Sequence, residues 1–296
     1  MSNLGIIVAG ETDIGRKRNA NQDRFICFRP KVSPLSGYAL ISVADGMGGP
    51  AGGEIASVSA LDAVHDFLKE SDFDSDKIGL DIGKVLVESA IQANRNVRRL
   101  ADEDRSLKGM GTTLTAALLN DKNLFVVNVG DSRGYLITKS AIKQITKDHS
   151  WVSEQVEDGL LTEQEARNHP RRNIITRAIG IADTVKVDLF SEQLSQENIV
   201  VLCSDGLYPL VADKEIFNAF KSYSIDEACR FLVRLSNDRG GPDNITVTAA
   251  HVTKPESCSS ETVNHGDGTL DQDKTQLSKT KANIFKSVIK SILFLK

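Results

Sequence analysis

Cysteine is scarce and unpatterned in this chain of 296 residues: Cys27, Cys203, Cys229 and Cys258 show no C-x-x-C or other ligand spacing. That excludes a disulfide framework and a structural zinc site, and fits a reducing compartment. Histidine is equally sparse. His65, His149, His169, His251 and His265 form neither an H-E-x-x-H nor an H-x-x-E-H pattern, so a zinc hydrolase is not indicated. Positive charge is in deficit, with a formal net charge of −4, which argues against a general nucleic-acid binder and its basic face. The opening MSNLGIIVAG has no basic n-region and too short an apolar run for a signal peptide, so a cytoplasmic location is expected. What remains is ordinary for a globular protein: 40% hydrophobic residues, enough for a sizeable core.

Short strand-like runs recur. RFICF from Arg24, YALISVA from Tyr38, TTLTAALL from Thr112, LFVVNV from Leu124, GYLIT from Gly134, NIVVLC from Asn198 and ITVTAAHV from Ile245 are rich in β-formers. Turn residues such as NDKN and GDSR separate several of them, which favours antiparallel meanders over βαβ crossovers. Helical spacing appears over 54–69 (Ile55, Val58, Leu61, Val64, Leu68) and 84–100 (Leu86, Ala90, Ala93, Val97, Leu100), then over 213–220 and 225–237. Strand blocks flanked by helix pairs predict an α+β protein with two sheets packed face to face.

Three segments stand apart from that pattern. Residues 150–172 are charged and helical in spacing, and read as a surface insert. Residues 254–280 are rich in Ser, Thr, Asp, Asn and Lys, with Val263, Leu270 and Leu277 as the aliphatics; such a composition cannot build a core, so a disordered linker is expected. Residues 281–296 gather Ile284, Phe285, Val288, Ile289 and Ile292 on one helical face, away from Lys286 and Lys290. This basic amphipathic helix is too short and charged to span a bilayer; a membrane surface and docking onto a protein are both open.

Aspartates recur where strands run out: Asp45 in SVADGMGGPAGGE, Asp205 in VLCSDG, Asp131 in VNVGDSR, Asp243 in GGPDN and Asp23 in NQDRF. Each alone reads as a turn aspartate. Converging in a cleft between two sheets, the five would suit a hard divalent cation, which takes oxygen ligands and keeps several waters. The carboxylates alone leave a two-metal nuclease open. The acidic balance speaks against it.

The blocks RNANQD from Arg18, DGMGG from Asp45, GMGTT from Gly109, GDSR from Gly130, SDG from Ser204 and GPDN from Gly241, with TRAIG from Thr176, run in this order over residues 5–252. Together they closely resemble the bacterial-type PPM family of metal-dependent serine/threonine protein phosphatases (protein phosphatase 2C). The resemblance implies a four-layer α/β/β/α sandwich within a catalytic domain of residues 1–253, with a metal centre in the cleft at one end. It implies two Mn²⁺ or Mg²⁺ ions, with a third in bacterial members. By that mapping Asp45 bridges two ions, the Gly46 carbonyl binds one, Asp205 and Asp243 hold the other, and Asp131 serves the third. Asp23 organises water, and Arg18 clamps phosphate. The glycines after Asp45 are then expected to leave room for a cation and its waters. The insert at 150–172 corresponds to the family's flap, where Arg171 and Arg172 are candidates for acidic or phosphorylated segments. The implied reaction is hydrolysis of phosphoserine and phosphothreonine by metal-activated water, opposing a Ser/Thr kinase, by a monomer. A weakly catalytic adaptor that binds phosphoproteins is the alternative. Two departures are noted: Gln22 stands where many relatives have glutamate, and Met47 where animal members have histidine.

Overall fold

Continuous apolar strands need cover on both faces, and the order of burial shows how they obtain it. The computed structural model describes residues 5–29, 37–70 and 78–253; the linker expected over 254–280 and the helix expected over 281–296 lie outside them. One antiparallel sheet runs, in spatial order, β1 (Gly5–Asp13), β11 (Ile245–Thr253), β10 (Ile199–Cys203), β7 (Arg133–Ile137) and β8 (Ile142–Gln144). The other runs β2 (Asp23–Phe28), β3 (Ala39–Met47), β5 (Leu114–Leu119), β6 (Asn123–Val129) and β9 (Asp188–Gln193), with the short β4 (Gly111–Thr112) pairing the end of β3.

Along β3 the residues from Ala39 to Ala44 are all buried. Side chains alternate across a strand, so Ile41 and Val43 enter the space between the sheets with Ile6, Val126, Leu202 and Val252. Leu40 and Ala44 point the other way, into a second layer with α1 (Gly49–Glu70) and α2 (Ile78–Glu103). The opposite sheet repeats this arrangement: Val201 and Val247 pack against Phe220 and Leu232 of α5 (Asp213–Ser222) and α6 (Ile225–Asp238). Three apolar layers therefore join four structural ones, the expected α/β/β/α sandwich. Each fully buried Leu, Ile or Val contributes about 1.5–3 kcal/mol relative to exposure. Among the described residues no helix is long and apolar enough to cross a membrane.

The structure adds strands that periodicity did not predict. β1 pairs with β11 from Gly5↔Thr253 to Asp13↔Ile245, yet it lies at a sheet edge and only Ile6 is buried in it. β9 is also an edge strand, paired with β6. The first helix starts at Gly49, before the expected 54, and the second at Ile78, before 84. The insert holds two short helices, α3 (Trp151–Glu157) and α4 (Glu163–Asn168). Ser150 caps the first, and a Thr162/Glu165 capping box opens the second.

Candidate metal centre

The five aspartates reach one end of the sandwich by different routes. Asp23 begins β2 and lies opposite Asp45 of β3 in register. Asp131 occupies the turn between β6 and β7, Asp205 follows β10, and Asp243 precedes β11. Asn244 pins the loop carrying Arg18 to this end. Its side-chain amide donates to the carbonyls of Ile14 and Ala20, each at 2.9 Å, and its Oδ1 accepts from Gln22 N–H at 2.8 Å. Arg18 Nη2 then donates to Asp243 Oδ2 at 2.6 Å. That bond chiefly raises the guanidinium's pKa, and Asp45 and Asp205 add to it. Gln22 Nε2 donates to the Gly49 carbonyl at 2.9 Å, a bond that an ionised glutamate could not make.

Like charges crowd here. Asp45 is held well above the usual carboxylate range, first by burial and then by the charges of Asp23, Asp205, Asp131 and Asp243. Asp205 is raised for the same reasons, burial first. Burial and Asp148 push Asp131 up to about 7. Burial lifts Asp23 to about 6, although its Oδ2 accepts from Ser204 Oγ and Thr246 Oγ1, both at 2.7 Å. Three enclosed oxygens, Oδ1 of Asp23, Asp131 and Asp205, have no hydrogen-bond partner among the described residues. Buried polar atoms without partners are costly, and an all-oxygen acidic donor set is one that a hard divalent cation satisfies. The residues present therefore fit Mg²⁺ or Mn²⁺. Among the described residues no group of three or more His, Cys, Asp or Glu side chains meets the geometry to hold an ion unaided, so carbonyls and water would have to complete the shell, as such cations favour.

One expectation is corrected in part. Gly46, Gly48 and Gly53 let protein groups touch rather than clear space for a cation, whereas Gly49 alone of the five faces open space. A Cβ at Gly46 would lie 2.0 Å from the Gly53 carbonyl oxygen and 2.7 Å from that of Gln22. A Cβ at Gly53 would meet the Gly46 carbonyl at 2.7 Å, and one at Gly48 the Met110 Cα at 2.5 Å. The start of α1 is thus seated against the end of β3. The arginine pair of the insert also separates: Arg171 lies over the Trp151 ring at 5.2 Å, whereas Arg172 joins Arg167 on the wall of a cavity of about 890 Å³. This cavity runs from Asp131 and Asp205 beneath α3 and α4 and includes Val152, Val156 and Tyr208. Its floor holds a feature that the sequence reading missed. Arg133 pairs with Asp148, Nη2 to Oδ2 at 2.7 Å, and its guanidinium lies 3.7 Å from the Tyr208 ring centroid. The basic residue in the GDSR block was the available signal.

Two sheets that end in an enclosed, oxygen-only, acidic cleft define a cation-dependent hydrolase of sandwich architecture. The chain belongs to the protein phosphatase 2C family, whose profile matches residues 15–244. It is 37% identical over 239 residues to the serine/threonine phosphatase stp of Listeria welshimeri, a match that covers 80% of this chain and 92% of that one. A structure of the S. agalactiae serine/threonine phosphatase is similar, with a TM-score of 0.76 at 36% identity over 84% of this chain and all 100% of the other. The catalytic domain of the serine/threonine phosphatase PstP in complex with two manganese ions superposes with a TM-score of 0.73 at 32% identity, covering 85% of this chain and 100% of its own.

Proposed function

We propose that this chain is a protein phosphatase that hydrolyses phosphoserine and phosphothreonine with two Mn²⁺ or Mg²⁺ ions, and that its catalytic domain extends over residues 1–253. The observation that carries this reading is the cluster of buried aspartates with unpartnered oxygens at one end of the sandwich. A binding module would gain nothing from such a costly set of charges, which disfavours the adaptor. Asp45, the Gly46 carbonyl, Asp205 and Asp243 would hold the two ions, and Asp131 would serve a third. When bound, such a cation pair supplies Lewis acidity and lowers the pKa of water towards neutrality.

The chain's own groups do the rest. Asp23 Oδ1 has no partner among the described residues, while Ser204 and Thr246 fix the other oxygen; this carboxylate is set to orient the attacking water. Arg18 spends one N–H on Asp243, and its remaining donors suit two phosphate oxygens. Met47 carries no proton to give, so the leaving alkoxide would take its proton from water or from another group of the cleft, with Asp131 the candidate. The cavity beneath the insert gives room for residues flanking the phosphoamino acid, and Arg167 and Arg172 have no ion pair among the described residues. Phosphorylated proteins are the proposed substrates and a Ser/Thr kinase the opposing enzyme. A cytoplasmic monomer whose residues 281–296 meet an anionic membrane surface completes the proposal. Vesicle co-sedimentation of the full chain against one ending at Thr253 tests that last element, and equal pelleting refutes it.

The central test is phosphopeptide hydrolysis with Mn²⁺, with Mg²⁺ and after chelation. Activity that survives complete chelation would sink the reading. For Arg18→Ala the expected result is a rise in KM for phosphopeptide of about 10-fold with a smaller fall in kcat, because a ground-state phosphate clamp is uniform binding. Steady-state kinetics at saturating Mn²⁺ decides it: an unchanged KM returns Arg18 to a purely structural partner of Asp243.

A further inference from the structure

His149, at the point where the chain leaves β8 for the 150–172 insert, retains only 4% of its surface. Its backbone N–H donates to the Gly130 carbonyl at 2.9 Å, and Gly130 N–H donates to His149 Nδ1 at 3.0 Å. Gly130 is the residue before Asp131 and adopts φ +113°, where other residues are strained. A Cβ there would lie 2.6 Å from the Thr113 side chain. Thr113 and His149 thus grip this turn.

The far side of the ring faces the other leg of the insert. His149 Nε2 lies 3.2 Å from Asp188 Oδ2 and 2.8 Å from Arg177 Nη1, and Arg177 Nη1 donates to Asp188 Oδ1 at 2.7 Å. Thr176 N–H donates to the His149 carbonyl at 2.9 Å. One rung further out, Trp151 N–H donates to the Ile174 carbonyl at 2.8 Å. Entry and exit of the insert therefore meet at this histidine.

The tautomer follows from donor counting. A backbone N–H can only donate, so Nδ1 carries the lone pair and the ring proton sits on Nε2, directed to Asp188 Oδ2. Arg177 then serves the carboxylate, since two N–H groups cannot bond each other. Burial holds the imidazole's pKa below its ordinary value, in keeping with a neutral ring.

We infer that His149 is a positioning residue: it clamps both legs of the insert to the Gly130 turn and, through that turn, holds the Asp131 carboxylate at the cleft. The inference rests on the phosphatase reading for Asp131's role as a ligand. Asp188 acts behind it by accepting the Nε2 proton and fixing the ring's orientation, as carboxylates do behind metal-site histidines. The insert and this aspartate are thereby one mechanical unit.

The test compares the full chain with His149→Ala, which removes the clamp, and Asp188→Asn, which keeps its size. In Asp188→Asn the charged acceptor for Nε2–H is lost and Arg177 loses its carboxylate partner, so the ring is held less firmly against the Gly130 turn. The second variant carries the test if the first does not fold. Ring-nitrogen NMR of the metal-free protein should show protonated Nε2 in the wild type, with that proton exchanging faster with water in Asp188→Asn. Titration with Mn²⁺ alone should show the weakest of its sites loosened about 10-fold or more in Asp188→Asn, the usual cost of losing such a supporting group. At saturating Mn²⁺, phosphopeptide KM should stay within about 2-fold while kcat falls. A wild-type ring protonated at Nδ1, or Mn²⁺ binding unchanged in folded Asp188→Asn, would overturn the inference. If the wild type hydrolyses no phosphopeptide but the faster Nε2–H exchange and the weaker Mn²⁺ binding are both seen, the phosphatase reading fails and the clamp stands.

Discussion

Asp45→Asn or Asp205→Asn lowers kcat at least about 100-fold, roughly 3 kcal/mol of barrier, and leaves the domain folded. The same change should make the metal-free protein no less stable, and more stable near neutral pH. Asp45 and Asp205 are each pressed by burial and by the neighbouring aspartates, so an uncharged isostere relieves repulsion that the native cluster bears. Stability and activity then move in opposite directions, as expected where a site is built for function against local strain. A purely structural aspartate would lose both together. The measurements are kcat at saturating Mn²⁺ and the metal-free Tm near pH 7.5. Near-wild-type kcat in both variants removes them from the metal centre.

What the sequence made legible was whatever leaves a local trace. β3 and β10 are covered on both faces, so they read as unbroken apolar runs. The helices α5 and α6 keep one buried stripe and one wet face, the pattern that helical periodicity detects. The aspartates were visible because ordered blocks surround them. Edge strands leave less trace: β1 owes its place to nine register pairs with a strand some 240 residues away, not to its own alternation. The glycines were recognised as space-makers, but which atom needed the space depends on α1 starting at Gly49 and resting on β3. His149 was set aside because its partners, Gly130, Arg177 and Asp188, share no motif spacing with it. Contacts of that kind are fixed by topology, and a search for metal-ligand patterns has no reason to find a histidine that works through a neighbouring turn.

Chelated protein should lose stability as pH rises from about 4 to 7, and Mn²⁺ should restore it. Asp131 is pushed up to about 7 and Asp23 to about 6, while Asp45 and Asp205 are raised well above the usual range. A carboxyl with a raised folded-state pKa keeps its proton in the fold at a pH where the unfolded chain has lost it. The folded state then binds more protons, and unfolding free energy falls as pH rises through that window. His149 and His251 are held low by burial and act in the opposite sense, losing stability as pH falls below about 6.5. Below that pH they offset part of the aspartates' contribution, and from about 6.5 to 7 the aspartates act alone. Mn²⁺ takes over the protons' role at the cleft: at 100 times its Kd it adds about 2.7 kcal/mol, and this gain should shrink towards pH 5 as protons compete for the same oxygens. Thermal unfolding at steps from pH 4 to pH 8, with chelator and with Mn²⁺, reads both effects, and Asp131→Asn should flatten the chelated slope between about pH 4 and 7. A chelated protein that grows more stable from about pH 4 to 7, or a slope in that range unchanged by Asp131→Asn, would mean that the carboxylates are not held protonated in the cleft and that no charge there awaits a cation.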